Sequence, residues 1–424
     1  AREARRAEAA PVPHRRHALA RQSPQITRRL ASGTRTTLDF RLNAALAADA
    51  ARALAHMRPA ESLAILIVDA RTRAIRAAYV GEWAAPQRAG FLDLSRAIRS
   101  PGSALKPFLY GLAFADGLAT PASLFRDLPG SFGSYGPDDF THHFMGVVTA
   151  ATALRRSLNL PAVRLMRAYG PARFAAHLAA AGAPLALPRG AGPSLPLALG
   201  GAGIDMRRLV ALYTALATDG TVEPLHLIAG KRGARHALLS PAIADEVAGV
   251  LTWPLPEGGP AGIAWKTGTS AGNRDDWAIG FDRQTVVAVW VGRPDGGALP
   301  GAAAIDRAVP ILTQVFGLIR IHPRPQSVGA HTLSLAPAPR RARLQLASPP
   351  PGAAIADLGP IEIRAVGGDR PLTFLIDGKP IASIPALRAA QFQPEGPGFY
   401  RLRIIDASGH SIRARLHVVA TARG

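Results

Sequence analysis

The 424-residue sequence predicts an α/β domain closed around one antiparallel sheet, followed by a small all-β sandwich. Three observations carry this prediction. Two β-rich runs, 62–68 and 74–80, lie early in the chain, and three more, 262–270, 277–281 and 285–291, lie late, with helical periodicity between them. Pro323, Pro325, Pro337 and Pro339 then interrupt the chain within 322–340, as an interdomain linker does. Beyond that stretch, short alternating segments recur, separated by turn residues.

Taken in order, residues 1–35 are charged, contain proline and lack a sustained hydrophobic period, so they read as a basic linker from an upstream region. Residues 42–57 form an Ala-rich amphipathic helix. The runs 62–68 and 74–80 flank Asp69-Ala70-Arg71-Thr72-Arg73 and read as an antiparallel hairpin. After Pro101-Gly102, apolar residues at Leu105, Phe108, Leu109, Leu112 and Ala113 give 103–117 a helical period. Ser103 opens that helix, where free backbone N–H groups and the positive dipole end favour an anion. Residues 118–146 read as loop. A further helix is expected to run up to Ser157-Leu158-Asn159 and to break at Pro161. A helix over 207–219 is terminated by Gly220, and Ser240-Pro241 caps and opens one over 242–252. The sandwich strands are expected at 343–347, 361–366, 372–376, 381–384, 400–406 and 412–419, with turns at Asp377-Gly378 and Ser408-Gly409. The domain divisions are therefore 1–35, 36–321, 322–340 and 341–424.

Composition narrows the function classes. Hydrophobic residues reach 48%, enough for a large core, while zero cysteines exclude disulfides, thiolate nucleophiles and Cys-based metal sites. The net charge of +21 invites a polyanion, but residues 1–36 alone hold nine Arg and two Glu. No basic stretch is interleaved with aromatics, so nucleic-acid binding is not predicted; an anionic surface or simple solvation fits the charge better. No apolar run approaches the roughly 18–20 residues that span a bilayer, and no signal-peptide core is visible. The chain begins at Ala1 and reads as part of a longer polypeptide whose anchor or export signal lies upstream.

Only four lysines stand against 46 arginines, and two of the four occur in Ser103-Ala104-Leu105-Lys106 and Lys266-Thr267-Gly268-Thr269. An ammonium can lose its proton in a suitable site, whereas a guanidinium effectively cannot. A Ser one helical turn before a Lys places a nucleophile beside its own base. Ser157 and Asn159 follow Ser103 at 54 and 56 residues, and Lys266 follows at 163. In this reading Ser103 is the nucleophile and Lys106 takes its proton, helped by the like charge of Lys266. Ser157 relays a proton to the leaving amine, and Asn159 orients Lys106 and the substrate amide. Lys266 keeps its charge and, with the Thr267 and Thr269 hydroxyls, holds a carboxylate. Gly268 lets a substrate backbone lie against the strand, and the N–H groups of Ser103 and Thr269 form an oxyanion hole.

Plainer roles stand beside these: Ser103 as a helix cap, Ser157 as a surface residue, Asn159 as a C-terminal cap, Lys266 as an edge-strand charge. Gly200-Gly201-Ala202-Gly203 reads as a tight turn, and Gly230-Lys231 lacks the Ser or Thr of a phosphate loop. His142-His143 has no further ligands at metal spacing, so neither metal nor cofactor is expected.

The ordered motifs carry a family resemblance. Thr36-Thr37-Leu38-Asp39, Pro101-Gly102-Ser103-Ala104-Leu105-Lys106-Pro107-Phe108 and Arg155-Arg156-Ser157-Leu158-Asn159-Leu160-Pro161 begin it. Leu199-Gly200-Gly201, Trp265-Lys266-Thr267-Gly268-Thr269-Ser270 and Arg274-Asp275-Asp276-Trp277 complete it. Together they make the chain, over roughly residues 36–424, resemble the transpeptidase portion of the class A penicillin-binding proteins, with the small C-terminal β-domain that some of them carry. The resemblance implies a penicillin-binding/β-lactamase-like domain: a five-stranded antiparallel sheet flanked by helices, with the active site between sheet and helical subdomain. It implies D-Ala-D-Ala transpeptidation of peptidoglycan stem peptides to an amine acceptor through acyl-Ser103, and covalent inhibition by β-lactams. It further implies a periplasmic location, an inner-membrane anchor and a glycosyltransferase upstream on the parent polypeptide, and cell-wall proteins as candidate partners of the β-domain. Three other readings share the motifs: a D,D-carboxypeptidase, a non-catalytic β-lactam or muropeptide sensor or scaffold, and a serine β-lactamase. The last needs a carboxylate to activate water, and Glu223, Glu246 and Glu257 lack that context.

Overall fold

The structure, a computed structural model, describes residues 22–127, 145–299, 303–324, 344–349, 354–355, 359–366, 368, 371–381, 383–384, 389–407 and 409–419. The chain divides into two compact units, Ala1–Ala330 and His331–Gly424.

In the first unit, Asp39 caps helix α1 (Phe40–Ala55) by accepting the N–H groups of Arg41 and Leu42. Strands β1 (Ser62–Asp69) and β2 (Ile75–Val80) follow. A 3-10 turn, Gly102–Leu105, leads into α2 (Lys106–Ala115). The expected loop of 118–146 is instead partly a hairpin, β3 (Leu124–Asp127) with β4 (Gly146–Thr149); residues 128–144 lie outside the described residues. Helices α3 (Ala150–Arg155), α4 (Asn159–Tyr169), α5 (Pro171–Ala180), α6 (Met206–Ala217) and α7 (Pro241–Leu251) build the middle. Ser240 caps α7 as its sequence predicts, accepting the Ile243 N–H. Strands β5 (Ala264–Thr269), β6 (Asp275–Phe281), β7 (Thr285–Gly292) and helix α8 (Ala304–Phe316) close the unit.

The sheet has the order β2-β1-β7-β6-β5 and is antiparallel throughout, so the early hairpin joins the late strands through β1 and β7. Successive residues point to opposite faces, and both faces are covered. Leu63, Ile65 and Ile67 pack with Leu46, Ala50 and Leu54 of α1 and with Leu312, Val315 and Phe316 of α8. Ala64, Leu66 and Val68 face the helical middle, with Phe108, Leu109 and Leu212. A strand buried on both sides loses the polar–apolar alternation that usually marks one.

Two expected linkers are shorter than their sequences suggest. From residue 22 onward the chain is part of the first unit: Ile26 is buried, and the buried Gln25 amide donates to the carbonyls of Gly81 and Gly90. Residues 1–21 lie outside the described residues. The segment after α8 is likewise tied down, because His322 N–H donates to Asp282 and Arg324 N–H to Gly262 O; residues 325–343 lie outside the described residues.

The second unit is a two-sheet sandwich. Strands β8 (Gln345–Ser348), β9 (Ala354–Ile355), β10 (Ile361–Val366), β11 (Thr373–Ile376) and β12 (Lys379–Pro380) come first. Strands β13 (Ser383–Ile384), β14 (Ala389–Phe392), β15 (Gly398–Ile405) and β16 (Ser411–Val418) follow. One sheet runs β8-β10-β14-β13 and the other β9-β16-β15-β11-β12. Ile361, Ile363 and Ala365 meet Phe374, Ile376, Leu402 and Ile404 between them. Strands β9 and β14 were not expected: one is two residues long, and the other is the Ala-Ala-Gln-Phe run.

Candidate active site

Ser103 sits in the tight turn before α2, and that turn lies directly on β5. Gly102 has φ +52°, and a Cβ there would come within 2.3 Å of Thr269 O. A Cβ on Gly268 would come within 2.3 Å of Pro101 O. Gly268 therefore makes room for the Ser103 turn. Three further bonds hold the turn. Tyr213 donates its hydroxyl to Ala104 O at 2.8 Å, Trp277 Nε1 donates to Ser100 O at 2.9 Å, and Ser100 Oγ donates to Gly200 O at 2.7 Å. The Ser103 side chain is half-buried and has no hydrogen-bond partner among the described residues.

Lys106 opens α2 and is almost completely buried, at 1% exposure. Its Nζ donates to Ser157 O at 2.6 Å, Leu158 O at 3.0 Å and Asn159 Oδ1 at 2.8 Å. These carbonyls are available because the chain leaves the helix at Ser157, whose φ is +60°. Helix α3 ends at Arg155 and α4 begins at Asn159, so the break falls at Ser157-Leu158 and not at the expected Pro161. Pro161 is tolerated because first-turn residues have no intrahelical N–H bond to lose. Asn159 thus starts a helix and is not a C-terminal cap.

Lys266, on β5, is 2% exposed. It donates to Ser157 Oγ at 2.7 Å and to Thr267 O at 2.8 Å. Ser157 is the meeting point: its carbonyl serves one lysine and its hydroxyl the other. Burial pushes the Lys266 ammonium down from 10.5 to about 7. Lys106 has Ser157 O, Leu158 O and Asn159 Oδ1 as acceptors, as many as an ammonium has N–H groups.

Strand β5 is an edge of the sheet, bonded along its length to β6. Ser270 N–H donates to Asp275 O, so the alternation of an antiparallel strand turns the Thr269 N–H towards the free edge, on the side of the Ser103 turn. The Thr267 and Thr269 side chains project from the face opposite Lys266 and Gly268. Thr269 Oγ1 accepts the N–H of Ala304 at 3.3 Å. Directly across from Thr269 stands Asp276, fully buried. Burial raises its carboxyl to about 6, while the Thr269 hydroxyl and Arg307 pull it down.

The geometry brings Ser103, Lys106, Ser157, Asn159 and Lys266 together around one turn and one strand edge, with Thr267, Gly268 and Thr269 on that strand. Sequence reasoning passed over Gly102, Ser100, Tyr213 and Asp276 as parts of this site. Gly102, directly before Ser103, was the legible one. Glu223 is salt-bridged to Arg232 at 2.9 Å, with no part in this cluster. Among the described residues, no group of three or more His, Asp or Glu is placed to hold a metal ion, and His142-His143 lies outside them. No helix among them is long and apolar enough to cross a membrane.

Comparison with known proteins agrees with this architecture. The family described as penicillin binding protein transpeptidase domain matches residues 63–309, and the Penicillin-Binding Protein C-terminus Family matches residues 333–416. The chain is 42% identical over 308 residues to Penicillin-binding protein 1C of Escherichia coli (strain K12), covering 69% of this chain and 40% of that protein. It is 28% identical over 261 residues to Penicillin-binding protein 1A of Neisseria flavescens, covering 54% of this chain and 32% of the relative. It thus spans less than half the length of either. Among solved structures, PonA1 from Mycobacterium tuberculosis in complex with penicillin V has a similar fold, with TM-score 0.60 and 23% identity, covering 69% of this chain and 87% of that one.

Proposed function

The chain belongs to the family of penicillin-binding protein transpeptidase domains, and from that premise we propose that it is a serine D,D-transpeptidase that cross-links peptidoglycan stem peptides through an acyl-Ser103 intermediate. The observation that carries the reading is Ser157, which joins both buried lysines beside the Ser103 turn. Ser103 Oγ attacks the carbonyl carbon of the penultimate D-Ala, and Lys106, as the neutral amine, takes the hydroxyl proton. Neutrality costs Lys106 only one of its three hydrogen bonds, and Asn159 keeps the amine aimed. The N–H groups of Ser103 and Thr269 receive the developing oxyanion. The C–N bond then breaks, and the departing D-Ala amine leaves with a proton delivered through Ser157 from Lys266. Lys266, Thr267 and Thr269 hold the substrate carboxylate along the edge of β5. An acceptor amine then attacks the ester and forms the cross-link as the C–O bond to Ser103 breaks; Lys106 returns its proton to Ser103 Oγ, and the proton lost by the amine recharges Lys266 through Ser157. β-Lactams acylate the same hydroxyl. The site faces the periplasm, and the parent polypeptide is a bifunctional synthase anchored in the inner membrane, with its glycosyltransferase upstream.

The reading is tested by incubating the chain with a labelled penicillin and mapping the adduct by mass spectrometry. Modification of the peptide containing Ser103, lost in Ser103→Ala, is the expected result. No labelling, or labelling undiminished in Ser103→Ala, overturns it. Rapid release of the drug marks a β-lactamase. With a D-Ala-D-Ala peptide and an amine acceptor, hydrolysis without peptide-bond formation marks a carboxypeptidase.

A further inference from the structure

At one end of the sheet, where the β1–β2 and β6–β7 turns meet the C-terminal end of α6, there is a cavity of about 700 Å³ walled by six arginines. Arg71 and Arg73 come from the first turn and Arg283 from the second. Arg232 and Arg235 come from the loop before α7, and Arg324 from the segment after α8. None belongs to the acylation cluster.

The charges do not balance. Asp219 pairs with Arg235 and, at 3.6 Å, with Arg73; Asp245 pairs with Arg324 at 3.0 Å; Glu223 pairs with Arg232. Three carboxylates thus make the direct ion pairs among six guanidiniums, Asp282 also acts on Arg324 and Asp69 on Arg232, and Arg71 and Arg283 make no ion pair among the described residues. The cluster is built, not a chance of long surface side chains. Arg73 is 2% exposed and donates to Thr221 O at 2.8 Å; Arg324 is 7% exposed and donates to Leu216 O and Ala217 O. The Nε–H groups of both are buried without an acceptor. Burial pulls both guanidiniums below their ordinary range; Asp219 and Glu223 resist this at Arg73 and Asp245 and Asp282 at Arg324, while Arg235 and Arg232 push Arg73 further down and Arg283 does the same to Arg324. Like charges held this close in the absence of a ligand are a standing cost that a bound anion would remove.

We propose that this arginine-walled cavity is a second ligand site, which binds a diphosphate-bearing anion. A single carboxylate engages one guanidinium fork, whereas a diphosphate carries two or three charges in one compact group with acceptor oxygens enough to face several of these arginines at once. Planar guanidinium forks match such oxygens in pairs. The headgroup of a lipid and a soluble diphosphate present the same chemistry. The proposal is independent of the role assigned to Ser103.

The test is calorimetric titration of the chain with inorganic pyrophosphate at roughly 150 mM salt, where loose surface attraction is screened within about 8 Å. Saturable one-to-one binding is expected, weakened about tenfold or more in Arg71→Ala/Arg283→Ala, where two charge-assisted contacts are lost. Both side chains are exposed, so melting temperature and penicillin labelling are expected to stay at their original values. If the double variant does not fold, Arg283→Ala alone is read in its place. A parallel arm uses phosphatidylcholine vesicles with and without an alkyl diphosphate. Variant-sensitive binding to the doped vesicles identifies a lipid headgroup, and pyrophosphate binding alone identifies a soluble ligand. Absence of saturable pyrophosphate binding, or binding unchanged in the variants, overturns the proposal.

Discussion

The pocket at the start of α2 and the pocket on β5 each bury an ammonium group almost completely, and Ser157 lies between them. Around Lys106 are three acceptors, two of them carbonyls freed where the chain turns left-handed at Ser157. Around Lys266 are one carbonyl and one hydroxyl, and its ammonium falls to about 7. Depth is the same in the two places. The two places differ in the number and polarity of their acceptors, and at Lys266 it is burial that lowers the ammonium. Lys266 is thereby near half-neutral at physiological pH, beside a lysine with a fuller set of acceptors.

Each contrast can be broken separately. The largest effect is expected for Lys106→Met, which removes the proposed proton acceptor: the second-order rate of penicillin acylation should fall about 10²–10⁴-fold. Lys106→Arg should not restore it, because a guanidinium does not give up its proton. Asn159→Asp sets a carboxylate against the Lys106 ammonium and locks it on. Acylation at neutral pH should slow by about ten- to a hundredfold and recover as pH is raised, a shift that a merely structural defect does not produce.

Lys266→Met addresses the other pocket. Because Lys266 titrates near 7 in the fold and near 10.5 when exposed, the unfolded chain binds more protons between those values, and stability should rise with pH across that window. Below about 7 the burial penalty is carried in full. Thermal melts of Lys266→Met should lose that rise. The smallest effect is expected at Asp276, where the folded carboxyl at about 6 lies above its ordinary 3.8, so stability is lost as pH rises through that interval. Asp276→Asn should melt higher than the parent above pH 6, and alike below 3.8. Equal melting at all pH values removes Asp276 from the account of the β5 edge.

How far the site was legible depended on which signals are local. Lys106 and Lys266 stood out because lysine is scarce in this chain, and Ser103 because a three-residue offset puts it one turn from Lys106. The helix break was placed wrongly because proline is the strongest local breaker, while the positive φ of Ser157 leaves no compositional mark. Helix α8 went unnamed because Pro310 lies inside it. Its apolar face, from Ala308 to Phe316, packs on the sheet and outweighs the lost backbone bond. The two β-regions differ for a related reason. Strand β10 alternates buried and exposed residues and was placed to the residue, whereas β1 and β6 are buried along nearly their whole length. Runs of that kind are recognised by their β-branched residues and flanking turns.

By itself the sequence determined the two-part architecture, the antiparallel sheet drawn from both ends of the first domain, and the residues to which the acyl-transfer proposal assigns the chemistry. These rest on periodicity, scarcity and spacing, all of which act over short stretches of chain. Only the tertiary structure decided which lysine is saturated with acceptors, that Gly268 exists to admit the Ser103 turn, and that six arginines from four separate segments share one cavity. Charge state, close approach and electrostatic crowding depend on distances between residues far apart in the chain, and those distances come into being only when the core closes.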